Sequence, residues 1–109
     1  MKQHKRYGNL IYTIQLNHLD KKLHNLRGKW GFFYEYNAGN LNKIAKYINN
    51  KYQTLTYFGI DKNKIREFIT ENEIAGIDRV VPIGQALDMS FYWDGYDLNK
   101  ILSRIVDIK

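Results

Sequence analysis

Asp78-Arg-Val-Val-Pro-Ile-Gly-Gln-Ala-Leu-Asp-Met-Ser-Phe-Tyr-Trp-Asp-Gly-Tyr96 decides how this chain is read. It opens as a short apolar run, Val80, Val81 and Ile83, and breaks at Gly84. A polar and aromatic loop follows, and Asp97 then caps a new amphipathic segment. The expectation is a strand, a loop with functional character, and a helix. In open α/β sheets ligands sit outside the carboxyl ends of strands, which is where residues 84–95 are expected to lie. Pro82 has no N–H to give to a ladder, so this strand belongs at an edge or pairs only near its start.

Reading outward from that stretch, the same unit recurs upstream. Gln53–Phe58 is β-branched and aromatic and stops at Gly59, a strand. Asp61 is placed to cap a helix whose apolar face is Ile65, Phe68 and Ile69. Trp30–Tyr36 reads as a strand apolar on both faces, the pattern of a strand covered on two sides. Asn40 is the expected cap of a helix carrying Leu41, Ile44, Ala45 and Ile48 at i, i+3, i+4 and i+7. The last helix, with Leu98, Ile101, Leu102, Ile105 and Val106, has a wide stripe that needs a partner. Before these units, residues 1–8 read as a mobile basic lead-in, 9–19 as a strand, and 20–27 as a short helical turn ended by Gly28. The fold class expected is α/β, with consecutive βαβ units forming a mostly parallel sheet in a single domain or fragment. Residues 1–25 form its lead-in and 26–109 the α/β segment.

The totals exclude several classes of function. At 109 residues, with 44% hydrophobic and 26% charged residues, the composition is that of an ordinary globular chain rather than a disordered one. There is no cysteine, hence no disulfide framework, thiol nucleophile or thiolate metal site. No apolar run reaches membrane-spanning length, and the basic start Met1–Arg6 has no signal-peptide core behind it. A cytoplasmic chain is the expectation. The net charge of +6, with nine Tyr and two Trp, also fits a nucleic-acid module that neutralises phosphates and stacks bases. However, the 17 Lys and Arg are scattered over what read as solvent faces, so charge speaks first to solubility.

Candidate chemistry is sparse. His4, His18 and His24 lie ahead of the α/β segment with no partner at metal-ligand spacing, and read as surface histidines. Ser90 and Ser103 lack the Gly-x-Ser-x-Gly setting of a nucleophile elbow. Gly59, Gly76 and Gly84 are isolated, so no Gly-rich phosphate fingerprint is present. Among the carboxylates Asp88, Asp94 and Asp97, the last has a sufficient role as a helix cap. The exit loop is the better candidate. It gathers Gln85, Asp88, Tyr92, Trp93, Asp94 and Tyr96, the mixture of aromatic and polar groups a pocket needs. The alternative is that Phe91, Tyr92 and Trp93 plug the end of the core while Gly95 permits the turn. The residues alone leave both open.

Several blocks in order resemble one family. Gly28-Lys-Trp-Gly31, Lys51-Tyr-Gln-Thr-Leu-Thr-Tyr-Phe-Gly59, Gly76-Ile-Asp-Arg-Val-Val-Pro-Ile-Gly-Gln-Ala-Leu-Asp88 and Trp93-Asp-Gly-Tyr-Asp-Leu98 are similar to the final segment of bacterial acyl-CoA reductases. These are fatty-acid reductases of the bioluminescence type, distantly related to the aldehyde dehydrogenases. The resemblance spans about residues 26–106. It implies a whole enzyme that reduces a fatty acyl-CoA to an aldehyde with NADPH, through a cysteine that captures the acyl group. Here both the cysteine and a Gly-rich cofactor segment are missing. The chain is thus expected to be a C-terminal part, inactive and without tight NADPH binding when alone. Its expected partner is an upstream catalytic segment, or a second copy through an unpaired sheet edge. The likeness also implies roles. Trp30 and Gly31 stand where the superfamily contacts the nicotinamide cofactor, although Gly28 replaces its ribose-binding Glu. Trp93, Asp94 and Gly95, with Gln85 and Tyr96, stand where it lines the acyl channel.

Overall fold

In the computed structural model, residues 3–109 are described, and the chain divides into two compact units, Met1–Ile48 and Asn49–Lys109. The architecture is mixed α/β. Its strands form three small sheets rather than one continuous sheet.

The first unit is a three-stranded sheet in the order β1-β2-β3. Strands β1 (Gln3–Tyr7) and β2 (Ile11–Gln15) form an antiparallel hairpin with Tyr7 opposite Ile11. The lead-in expected to be mobile is therefore a strand over residues 3–7. Every residue of β1 is exposed, so it carries no apolar alternation, and its charged side chains suit a sheet edge. Gly8 turns the chain at φ +61°, and Arg6 Nε donates to its carbonyl at 2.7 Å. Strand β3 (Phe32–Glu35) runs parallel to β2, from Tyr12 opposite Phe32 to Gln15 opposite Glu35. The Tyr12 and Phe32 rings stack with centroids 4.6 Å apart, the cross-strand pairing that stabilises such ladders.

Strand β3 departs from the expected strand in its start and in its burial. The second strand was expected from Trp30, but Trp30 and Gly31 both take positive φ, 56° and 85°, and regular pairing starts at Phe32. Nor is the strand covered on both faces, because all four residues of β3 are exposed. Residues 23–25 form the short helical turn, a single 3-10 turn. Helix α1 (Asn42–Ala45) is shorter than its stripe implied, and i→i+3 bonds continue the coil to Ile48. Asn40 serves as expected, its Oδ1 accepting the Asn42 N–H at 2.8 Å.

The second unit is built on one βαβ crossover. Strands β4 (Thr54–Tyr57) and β5 (Arg79–Pro82) pair in parallel, with Thr54 opposite Arg79 and Tyr57 opposite Pro82. Between them lies α2 (Lys62–Glu71), started by Asp61, whose Oδ1 accepts the Asn63 N–H at 2.8 Å. Ile65 and Phe68, two residues of the expected face, are the buried hydrophobic core, at 3% and 2% exposure. Asn72 closes the helix by donating from Nδ2 to the Phe68 carbonyl. Gly76 then passes so close to the 49–50 backbone that a Cβ would stand 2.2 Å from the Asn49 carbonyl oxygen.

After β5 the chain makes a two-residue-stranded hairpin, β6 (Tyr92–Trp93) with β7 (Tyr96–Asp97). Asp94 and Gly95 turn it with φ of 52° and 79°, the doubly positive geometry that Asp-Gly favours in tight hairpins. Asp97 caps α3 (Leu98–Leu102) as expected, accepting from Asn99 N at 3.1 Å. The helix stops there, well short of Val106. The distal part of its stripe meets no packing surface, with Ile105 96% exposed, and so short a helix is not sustained without burial. Among the described residues no helix is long and apolar enough to cross a membrane.

Candidate functional site

Arg79, the first residue of β5, organises the loop that follows the strand. Its guanidinium donates to the carbonyls of Gln85 (3.2 Å), Ala86 and Asp88, and lies 4.7 Å from the centroid of the Trp93 ring. Only arginine offers enough donors in a rigid fork for three carbonyls while its flat face rests on an indole. The bond to Ala86 is part-buried, while those to Gln85 and Asp88 are exposed, so Arg79 partners carbonyls that solvent still reaches. The loop is held, not loose.

This brace also sets the direction of the loop. Residue 84 leaves at the carboxyl end of β5, but the chain then returns along the strand. Trp93 stands over Arg79, and a Cβ on Gly95 would be 3.1 Å from Asp78 Oδ1. Trp93, Asp94, Gly95 and Tyr96 are thus tied to the amino end of β5, correcting their expected place at its carboxyl mouth. Gln85 alone of the five expected substrate-binding residues stays at that mouth. The physical reason is the turn at Asp94-Gly95, which needs a two-stranded ribbon and carries the indole with it.

The carboxyl end of the parallel pair does hold a cavity, of about 460 Å³. It lies between that end and α2. Tyr57, Ile65, Ile69, Val80, Val81 and Pro82 give it an apolar wall, and Lys62, Arg66, Thr70 and Gln85 its polar groups. The carboxyl-end rule therefore finds a pocket, with mostly different residues from those expected. Lys62 and Arg66 were legible only as solvent-face charges. Their spacing of four on a capped helix, beside the Ile65–Ile69 pair, was the available signal.

In the first unit, Trp30 is 93% exposed and Gly31 is packed backbone to backbone. A Cβ on Gly31 would meet the Leu10 carbonyl oxygen at 1.9 Å, and its own carbonyl accepts the Tyr12 N–H at 2.8 Å. Gly31 is accounted for by the β2–β3 junction. An exposed indole beside it provides no cradle of backbone N–H groups for a pyrophosphate, so these residues by themselves do not fit NADPH. Asp97 is used as a cap, and among the described residues no group of His, Asp or Glu is placed to hold a metal ion.

The fold and site define a mixed α/β chain with one βαβ unit, an arginine-braced aromatic loop and a pocket with basic groups. Comparison with protein-family models, with characterised proteins and with solved structures finds no match.

Proposed function

We propose that this chain is the C-terminal part of an acyl-CoA reductase, a unit that reduces a fatty acyl-CoA to the aldehyde with NADPH. The nucleophilic cysteine and the cofactor segment come from a separate polypeptide segment, since this chain contains no cysteine. The reading rests on the order of the resembling blocks from Gly28 to Leu98. Arg79, inside the longest block, donates to the Gln85, Ala86 and Asp88 carbonyls of that block and lies over Trp93 of the next. In this role the aromatic hairpin at Trp93–Tyr96, with Tyr92 and Tyr96 exposed, contributes apolar surface to the assembled unit. Hydride transfer and acyl capture belong to the other segment. This chain supplies shape and apolar lining.

The test is reconstitution. The cysteine-bearing remainder of a bioluminescence-type acyl-CoA reductase, stripped of its own final segment, is mixed with this chain. Acyl-CoA-dependent NADPH oxidation is expected from the mixture and from neither part alone. No oxidation from the mixture, when the remainder is rescued by its own final segment, would overturn the proposal.

A further inference from the structure

We infer that the cavity between α2 and the carboxyl ends of β4 and β5 is a binding site for a small phosphate monoester with an apolar body. This inference does not rest on the reductase reading. All ten lining residues belong to the second unit. At about 460 Å³ the cavity is in the size range of small-molecule sites. Two rows of α2 divide its chemistry. Ile65 and Ile69, four apart, face inward with Val80, Val81 and Pro82, a surface that favours an apolar group by area alone.

Lys62 and Arg66, also four apart, stand on the same helix at the cavity margin, about 5–6 Å apart at Cβ by helix geometry. No carboxylate lines the cavity, and neither cation is ion-paired among the described residues. Arg66 spends one N–H on Asn63 Oδ1 at 3.0 Å and keeps its other donors. Two adjacent cations without a counter-charge match a dianionic head better than a monoanion, and Arg binds phosphate oxygens through its paired donors. Gln85 adds an amide for orientation, while the Thr70 hydroxyl gives its proton to the Arg66 carbonyl at 3.0 Å and offers only its acceptor side. The apolar wall excludes a bare inorganic anion as the best ligand, since it would leave that wall wet.

Calorimetric titration of the full chain with octyl phosphate tests this, with octanol, octanoate and inorganic phosphate as comparison ligands. One site per chain is expected, with octyl phosphate tightest and weakening as salt rises. The double variant Lys62→Gln/Arg66→Gln, both at exposed positions, should weaken octyl phosphate roughly tenfold or more and leave octanol unchanged. Ile69→Glu should abolish octyl phosphate binding. Its folding is checked by unchanged circular dichroism, and Thr70→Asp, outside the apolar wall, repeats the charge test if it is not folded. Vesicles of phosphatidylcholine with phosphatidic acid separate a soluble ester from a lipid headgroup, and no co-sedimentation is expected. The inference is overturned by equal binding of octyl phosphate and octanol, by no effect of the charge variants, by binding to vesicles alone, or by no binding.

Discussion

Arg79 shows how much one side chain can determine. It replaces a missing strand neighbour by giving its donors to three loop carbonyls, and it pins Trp93 by a cation–π contact. Arg79→Gln keeps some hydrogen bonding and loses the fork and the charge. It should destabilise the second unit by about 2 kcal/mol, since bonds to charged groups contribute about 1.5–3 kcal/mol each and this group is partly solvated. The Trp93 environment should become wetter at the same time. Urea unfolding followed by tryptophan fluorescence measures both, and an unchanged midpoint with an unchanged spectrum would show that the brace is idle. Gly95 gives a second residue-scale expectation. At φ +79° a Cβ costs about 1–2 kcal/mol, and the Asp78 carboxylate must swing aside. Gly76→Ala should cost more than Gly95→Ala, because its Cβ meets backbone that cannot swing. Thermal unfolding of the two variants gives the ranking directly.

At the scale of elements, what was legible had a local physical signature. Asp61 and Asp97 cap the helices they were expected to cap, and α2 buries the face its periodicity announced. The βαβ step from Gln53 to Pro82 followed from β-branched runs separated by a capped helix. What was not legible depended on partners distant in sequence. Strand β1 has no buried face, so its sequence has no alternation to read, and only pairing with β2 makes it a strand. The continuous sheet failed because alternating strands and helices specify elements but not which edges meet. The hairpin at Trp93–Tyr96 was legible in principle. Its Asp-Gly pair is the strongest short hairpin signal, set among aromatic residues that also suit a pocket lining. Gln85 lies at the carboxyl end of β5 by chain position, whereas Lys62 and Arg66, apart from their spacing of four, carry no sequence signal beyond charge on a helix face, which is usually solvated. The element-scale expectation concerns α2. Phe68→Ala should cost about 3–5 kcal/mol, enough to unfold a unit with so few buried side chains. Amide exchange should show protection lost from both β4 and β5 together, since α2 supplies their common cover.

The whole molecule exposes more surface than its mass warrants. Its accessible surface is 9477 Å², whereas a compact chain of 13.0 kDa exposes about 6,300 Å² by the usual size scaling. Even two separate compact units of these lengths would expose only about 7,600 Å². The difference lies in side chains such as Leu87, Phe91, Leu102 and Ile105, each more than half exposed. Less surface is buried, so unfolding should be weakly cooperative. The urea m-value should be about three quarters of that of a compact chain of the same length, because m scales with the area exposed on unfolding. A full-sized m-value would mean that the missing burial is made good in solution. On the proposed reading, the remaining catalytic segment would cover part of this surplus apolar surface. The most direct measurement of that claim is the NADPH oxidation rate of the cysteine-bearing remainder, titrated with this chain at saturating acyl-CoA. The account predicts a rate that rises from zero and levels off at one chain per remainder. A rate that stays at zero throughout, while the remainder's own final segment restores turnover, would contradict it.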